Sequence, residues 1–309
     1  MAIVLIRQDG KIASWKEALL THSSEIPIYS YLEEHPKDQV QMAIVWKHPH
    51  GSLAGYPNLR CIASFGAGVD FIFEDPGLPL DIPVTRVVDP VLASDMSEFV
   101  LAQILVYLKH LKTYALEQEN RIWHPREYRR ISDVTVGIMG VGALGSRLAN
   151  DLLKLGFRVV GWSTSEKKGV DYSIYGGVEG LQEFLQQSEI LVCLLPLTEQ
   201  TRGILNRRLF LQLPAGGFVI NVARGGHMVD EDLLEMLDKG HLSGAALDVF
   251  HREPLPASHP FWSYPAIQMS PHIASVSDQD SVIPQLLDNY NRLLKGSPLR
   301  NVVSRDKGY

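Results

Sequence analysis

The feature that most constrains the fold is an apolar run, Val134-Thr-Val-Gly-Ile-Met139, that passes directly into Gly140-Val-Gly142-Ala143-Leu144-Gly145. A helical pattern follows, with Leu144, Leu148 and Leu152 at four-residue spacing and Gly156 where a helix C-cap belongs. Strand, glycine turn and helix in that order make one βα unit of a parallel sheet. Gly140 permits the tight turn, Gly142 lets the backbone approach a pyrophosphate, and Gly145 lets helix and strand pack closely. The amides that open the helix, from Ala143 onward, would then face phosphates. The alternative is a strand–turn–helix whose glycines serve only the turn, and the flanking strand and helix disfavour it.

The rest of the chain alternates short β-branched runs with helical patterns, the mark of a parallel α/β architecture. Strands are expected at Ala2–Arg7, Met42–Trp46, Arg60–Ser64 and Pro83–Val87. A second series is expected at Thr135–Met139, Arg158–Trp162, Ile190–Leu194, Gly217–Val222, Gly244–Asp248 and Ala266–Met269. A long helix is expected over Ala93–Leu116, with Met96, Val100, Ile104 and Leu108 on one face, followed by an irregular arm, Asn120–Asp133, that carries Trp123 and Tyr128. The helical tail Val276–Lys295 is expected to pack back on the first domain. The reading is thus two doubly wound parallel-sheet domains: a discontinuous substrate domain, 1–98 and 276–309, and a dinucleotide-binding domain, 99–275.

With 309 residues there is chain enough for two cores. A formal charge of −6 argues against nucleic acid as a partner, which needs a basic face. No apolar run approaches the roughly 20 residues of a bilayer span, and the expectation is a cytoplasmic protein with no membrane partner. Cys61 and Cys193 lie in apolar runs and read as small buried hydrophobes. His48-Pro-His50 has no accompanying metal-ligand spacing, so no metal is assigned.

The strand after the glycine loop ends at Trp162-Ser163-Thr164-Ser165-Glu166-Lys167-Lys168. An NAD enzyme usually carries an acid at this strand end, for the ribose hydroxyls. Here Ser163 takes that place, and the hydroxyls of Ser163, Thr164 and Ser165 with Lys167 would attract a 2′-phosphate that a carboxylate would repel. NADP(H) is therefore favoured, with NAD(H) possible; a merely solvated lysine turn is the other reading.

Three further motifs follow predicted strands: Asn221-Val-Ala-Arg224-Gly-Gly, Leu247-Asp-Val-Phe-His-Arg-Glu253-Pro and Ser270-Pro-His272-Ile-Ala-Ser. A guanidinium at 224 can hold a carboxylate–carbonyl pair by two parallel hydrogen bonds, a geometry lysine lacks. His272 can give a proton to a nascent alkoxide, and Glu253 is the carboxylate that would favour its charged form. Each motif alone reads as a surface loop; together on strand ends they describe reduction of a 2-oxo acid. In the first domain, Gly66, Ala67 and Gly68 follow a strand and could present amides to the substrate carboxylate, or form a plain glycine-rich turn. Trp46 could cap the substrate's tail.

These motifs, with Gly66-Ala-Gly-Val-Asp70, Leu194-Leu-Pro-Leu-Thr198 and Pro271-His-Ile-Ala274, resemble the D-isomer-specific 2-hydroxyacid dehydrogenases over nearly the whole chain. The resemblance implies two flavodoxin-like or Rossmann-like domains with the active site in an interdomain cleft. It implies a homodimer formed with help from the long helix and the arm. It assigns Arg224 to the substrate carboxylate and carbonyl, His272 to proton donation and Glu253 to orienting it. Asp248 would hold the nicotinamide carboxamide, Leu195 and Pro196 would line the cofactor site, and Trp46 would lie over the substrate. Glyoxylate and hydroxypyruvate would be reduced to glycolate and D-glycerate. One departure stands out: the group commonly has arginine where this chain has Thr164. Two alternatives are a dehydrogenase of the same fold for a larger 2-oxo acid, and a dinucleotide-sensing corepressor-like protein, which would bind cofactor without turnover.

Overall fold

The computed structural model describes residues 1–164 and 170–308 and divides into two compact units, Met1–Leu92 with Ser277–Tyr309, and Ala93–Val276. In the first unit the strands β1 (Ala2–Arg7), β2 (Ile28–Ser30), β3 (Val40–Trp46), β4 (Cys61–Ser64) and β5 (Val84–Thr85) form a sheet in the order β2-β1-β3-β4-β5. All its pairings are parallel. Successive strand side chains point to opposite faces, and here both faces are covered, which is why β1 and β4 are buried at every position. Ile3, Leu5, Met42 and Ile44 meet Trp15 and Leu19 of the helix Ile12–His22, together with Ile283, Leu286 and Tyr290 of the chain-terminal helix Gln279–Leu294. Val4, Ile6, Ala43 and Val45 face the other way, onto Leu53, Val69 and Ile72. The tail helix thus belongs to the first unit because its apolar stripe completes that core.

The second unit holds β6 (Thr135–Met139), β7 (Arg158–Ser163), β8 (Ser173–Gly176), β9 (Ile190–Cys193), β10 (Gly217–Asn221), β11 (Leu242–Leu247) and β12 (Ile267–Met269), again with every pairing parallel. Their order is β12-β11-β10-β9-β6-β7-β8. The chain runs outward from β6 to β8, then restarts at β9 on the other side. That reversal between β6 and β9 is the switch point beside which doubly wound sheets bind ligands, at the carboxyl ends of the strands.

Several sequence expectations shift. β2 and β8 were not foreseen; they are short edge strands, too brief to show a period. The expected helix over 93–116 is two helices, Pro90–Leu108 and Leu111–Glu119, broken where His110 takes a left-handed φ of 55°. It also starts earlier, because Asp89 caps it, its carboxylate accepting from the amides of Val91 and Leu92, with Pro90 at the first position. The units divide at Leu92/Ala93 and Val276/Ser277 rather than at 98/99 and 275/276, since Met96, Val100 and Ile104 pack with Val136 and Ile138 of β6. Helix Pro90–Leu108 is long and apolar enough by composition to cross a membrane, contrary to the sequence reading. Its stripe Val100, Ile104 and Leu108 is buried in the second core. Cys61 and Cys193 are buried free thiols, both pushed up by burial to about 12.

Candidate active site

At the end of β6 the chain turns at Gly140, whose φ of 101° no side chain tolerates well. A Cβ at Gly140 would lie 2.7 Å from the Leu194 carbonyl oxygen, so the turn is pressed against the end of β9. At Gly145 a Cβ would lie 2.1 Å from the Gly140 carbonyl oxygen, which is the close helix–strand approach expected of that glycine. Gly142 differs: a Cβ there would meet nothing within 4 Å. It is the N-cap of helix Ala143–Leu155, and Gly142 and Ala143 are exposed. The first-turn amides of Ala143, Leu144 and Gly145 have no acceptor within the helix, and no atom crowds the backbone at Gly142. These residues fit the pyrophosphate of a dinucleotide. The helix is anchored by buried Leu148, Ala149 and Leu152, each leucine contributing about 1.5–3 kcal/mol. It stops at Gly156 (φ 92°), where the Phe157 amide donates to the Leu152 carbonyl.

Ser163 ends β7, half-buried, and Thr164 beside it is exposed. Ser165 and Lys167 lie outside the described residues. Leu195 is buried after β9, and Pro196 is half-buried.

The three motifs that carry Arg224, Glu253 and His272 follow adjacent strands in register. Asn221 of β10 pairs with Leu247 of β11, and Leu247 with Met269 of β12. The ends of neighbouring strands lie about 4.8 Å apart, so Arg224, Glu253 and His272 rise from one short stretch of sheet edge. The Arg224 loop is held by Asn221, whose Nδ2 donates to the Arg224 carbonyl at 2.9 Å. Next to it, Gly225 packs on the backbone of Phe250 and His251, with its would-be Cβ 2.0 Å from the Phe250 carbonyl carbon. Arg224 is half-buried, and its Nη1 donates to the Ala223 carbonyl at 2.7 Å.

His272 Nδ1 lies 2.8 Å from Glu253 Oε2, while Glu253 Oε1 accepts from the Phe250 amide at 3.2 Å. An ionised carboxylate only accepts, so Nδ1 carries the proton and Nε2 is the nitrogen left for chemistry. Both side chains are partly exposed, 29% and 22%, so the pair orients the ring more than it adds stability. His272 has a left-handed φ of 55°, a strain of roughly 1–2 kcal/mol for a residue with a Cβ. The neighbouring chain is held by buried Asp248. Its Oδ1 accepts from Ser270 Oγ at 2.6 Å and the Ile273 amide at 3.0 Å, and its Oδ2 accepts from the Ala274 amide at 2.9 Å.

In the first unit, Trp46 ends β3 half-buried, edge-on to Phe71 at 5.2 Å. Its ring reaches the Gly66 loop, 3.1 Å from where a Gly66 Cβ would stand. The Gly66 amide donates to Ser64 Oγ at 3.2 Å, and that hydroxyl donates to the Gly68 carbonyl at 2.8 Å. Of the three amides expected to face an anion, the one at Gly66 is therefore engaged within the loop. Ala67 and Gly68 are half-buried.

Sequence reasoning passed over His227. It is fully buried, with Nδ1 3.1 Å from the Arg224 carbonyl and Nε2 3.3 Å from the Pro196 carbonyl. It ties the arginine loop to the Leu195–Pro196 loop, where Thr201 Oγ1 also donates to the Pro196 carbonyl at 2.7 Å. The available signal was a histidine directly after Arg224-Gly-Gly. His48 pairs with Asp75 at 3.1 Å, and among the described residues no group of three or more His, Cys, Asp or Glu is placed to hold a metal ion.

The family model described as "D-isomer specific 2-hydroxyacid dehydrogenase, NAD binding domain" matches residues 101–274. The chain belongs to this dehydrogenase family. Glyoxylate/hydroxypyruvate reductase A of Klebsiella pneumoniae (strain 342) is 40% identical over 273 residues, covering 86% of this chain and 87% of that protein. The protein of the same name from Photorhabdus laumondii is 37% identical and matches over 100% of both. Among solved structures, a D-isomer specific 2-hydroxyacid dehydrogenase from Xanthobacter autotrophicus Py2, in complex with NADPH and MES, aligns with a TM-score of 0.94 at 37% identity, covering 100% of this chain and 99% of that one. An NADPH-dependent glyoxylate/hydroxypyruvate reductase from Sinorhizobium meliloti, in complex with NADP and sulfate, aligns at 0.92 with 36% identity and the same coverage. As a 2-hydroxyacid dehydrogenase, the chain is an NAD(P)-dependent oxidoreductase.

Proposed function

We propose that this dehydrogenase reduces glyoxylate to glycolate and hydroxypyruvate to D-glycerate, with NADPH preferred over NADH. The observation that carries the reading is the in-register alignment of three strand ends, which brings His272 within 2.8 Å of Glu253 on the edge that also bears Arg224. Arg224 holds the substrate carboxylate and carbonyl oxygen through its guanidinium fork. The hydride to the carbonyl carbon would come from a reduced nicotinamide when one is bound. His272 Nε2 gives its proton to the carbonyl oxygen as that oxygen becomes an alkoxide, and Glu253 accepts from Nδ1–H, stabilising the imidazolium before transfer. General acid catalysis of this kind contributes about 10²–10⁴-fold.

Ala143, Leu144 and Gly145 offer amides to the pyrophosphate, and Leu195 and Pro196 line the nucleotide site. Ser163 stands where an acid would repel a 2′-phosphate, and the relatives solved with NADPH or NADP support that preference. Asp248 has one acceptor position beyond the three already used, which we assign to the nicotinamide carboxamide. Ala67 and Gly68, with Gly66 and Trp46, are assigned to the substrate. The two buried thiols suit a reducing cytoplasm. Exposed Ile122, Trp123 and Tyr128 on the arm support a homodimer.

Initial rates of 340 nm absorbance loss test the reading, with glyoxylate, hydroxypyruvate, pyruvate and phenylpyruvate, each with NADPH and NADH. Fast turnover of the first two with a kcat/KM ratio above one for NADPH over NADH is expected. Preference for phenylpyruvate would reassign the substrate, and tight dinucleotide binding without turnover would point to a sensor.

A further inference from the structure

The geometry points to Asp248 as the positioning residue for His272: its carboxylate fastens the chain on both sides of the histidine and so sets where the imidazole delivers its proton. The inference rests on His272 being the proton donor in the reaction proposed above. Glu253 orients the ring, but a ring is only as well placed as the backbone that bears it. That backbone is left-handed at His272, a conformation that relaxes unless its surroundings over-determine it. On one side of His272, Ser270 Oγ donates to Asp248 Oδ1; on the other, the amides of Ile273 and Ala274 donate to Oδ1 and Oδ2. A single carboxylate thus closes a loop around the catalytic residue.

Asp248 itself has little freedom. It is 1% exposed and directly follows Leu247, the last residue of β11, and its own amide donates to the Asn221 carbonyl of β10 at 3.0 Å. The sheet therefore fixes the carboxylate, and the carboxylate fixes the His272 loop. Aspartate suits this place and its neighbours in size do not. Asparagine would turn an NH₂ toward at least one N–H or O–H donor, and glutamate would need room for another methylene in a closed site. The bonds also change what Asp248 offers a nicotinamide: with three acceptor positions used inside the protein, cofactor contact is its minor duty.

Asp248→Asn in the 309-residue chain separates the two duties. Without cofactor, hydrogen exchange at the Ile273 and Ala274 amides should quicken by at least about tenfold, while β6 and β9 amides stay unchanged. With saturating NADPH, kcat for glyoxylate should fall by roughly 10²-fold, the cost of misplacing a catalytic group by about 1 Å. The same substitution in a His272→Ala background should lower the residual rate by less than about twofold, because Asp248 acts through the histidine. The dissociation constant for NADPH should stay within about threefold. Ser270→Ala, which removes one bond of the three, should move exchange and kcat in the same direction by smaller factors, and it serves if Asp248→Asn fails to fold.

Unchanged exchange at Ile273 and Ala274 overturns the proposal whatever the substrate proves to be. So does an equal loss of rate in the His272→Ala background, or a loss confined to NADPH affinity, which would make Asp248 a cofactor ligand only. If the unaltered protein reduces none of the 2-oxo acids, the reductase reading fails, and the exchange result still decides whether Asp248 holds the His272 loop.

Discussion

Gly225 and Phe250 touch backbone to backbone: a methyl group on Gly225 would stand 2.0 Å from the Phe250 carbonyl carbon and 2.3 Å from its oxygen. The loop that carries Arg224 is thereby seated on the loop that leads to Glu253. Replacing Gly225 with alanine forces the two loops apart. We expect a destabilisation of about 1–3 kcal/mol and a fall in kcat/KM for glyoxylate of at least about tenfold. Thermal unfolding and steady-state kinetics on one sample check both; an unchanged kcat/KM would mean that the arginine loop need not be held there.

Arg224 and His272 should leave different kinetic signatures. Arg224→Ala removes charged hydrogen bonds worth roughly 1.5–3 kcal/mol each, so KM should rise and kcat fall together. His272→Ala should lower kcat by about 10²–10⁴-fold with NADPH affinity near normal. Loss of NADPH binding in the histidine variant would mark His272 as structural, and an unchanged KM in the arginine variant would place the carboxylate elsewhere.

The glycines of the dinucleotide loop separate folding from binding. Gly145→Ala drives a Cβ to 2.1 Å from the Gly140 carbonyl oxygen and should cost folding stability. Gly142→Val meets no protein atom within 4 Å at its Cβ; it should fold with an unfolding midpoint near the native one while its dissociation constant for NADPH rises by about tenfold or more. Calorimetry and fluorescence titration distinguish them. Normal NADPH affinity in the Gly142 variant would remove the pyrophosphate from this loop.

Acid should weaken the first unit through His48 and Asp75. Burial holds the His48 imidazole below its ordinary value of 6.5, outweighing the pull of Asp75. Burial opposes ionisation of Asp75, yet the amides of Gly77 and Gly51 and the His48 ring hold its carboxyl below the ordinary 3.8. The unfolded chain therefore takes up a proton at position 48 as the pH drops through 6.5 while the folded chain does not, so stability falls from there downward. The Asp75 contribution, present above 3.8, disappears only as the pH falls through its lowered folded value. Each proton accounts for at most about 1.4 kcal/mol per pH unit. His48→Gln should flatten the slope of urea-unfolding stability between pH 7 and 5, relative to the native chain; an unaltered slope would assign it to other groups.

The arm should matter for assembly. Trp123 is 95% exposed and Ile122 and Tyr128 are more than half exposed, whereas Arg126 is held by Glu117 and its amide donates to Tyr114 Oη at 2.9 Å. Sedimentation should show the proposed dimer, and Trp123→Asp should convert it to a monomer without lowering the unfolding midpoint of the isolated chain. A dimer that survives that change would place its interface elsewhere.

Much of the fold is legible in the sequence. Short β-branched apolar runs placed β1 and β6 to the residue, because both faces of each sheet are covered, and Gly156 ended its helix as its type implies. Arg224, Glu253 and His272 could be named because each follows a strand, and a strand's end is a local property. The break at His110 was not legible, since apolar spacing continues through it while the backbone turns left-handed for one residue. Nor was the engagement of the Gly66 amide by Ser64, or the burial of His227 between two carbonyls, because each depends on where a folded loop returns.

By itself the sequence determined which side chains are carried to the ends of strands, because helix and strand periods and glycine turns act over a few residues. Tertiary structure decided that β10, β11 and β12 lie side by side with Asn221, Leu247 and Met269 in register. It also decided that Asp248 spends its carboxylate on the His272 loop. Strand order and register are set by burial on both faces of the sheet and by hydrogen bonds between segments far apart in the chain, and no local pattern of residues encodes which partner each strand will find.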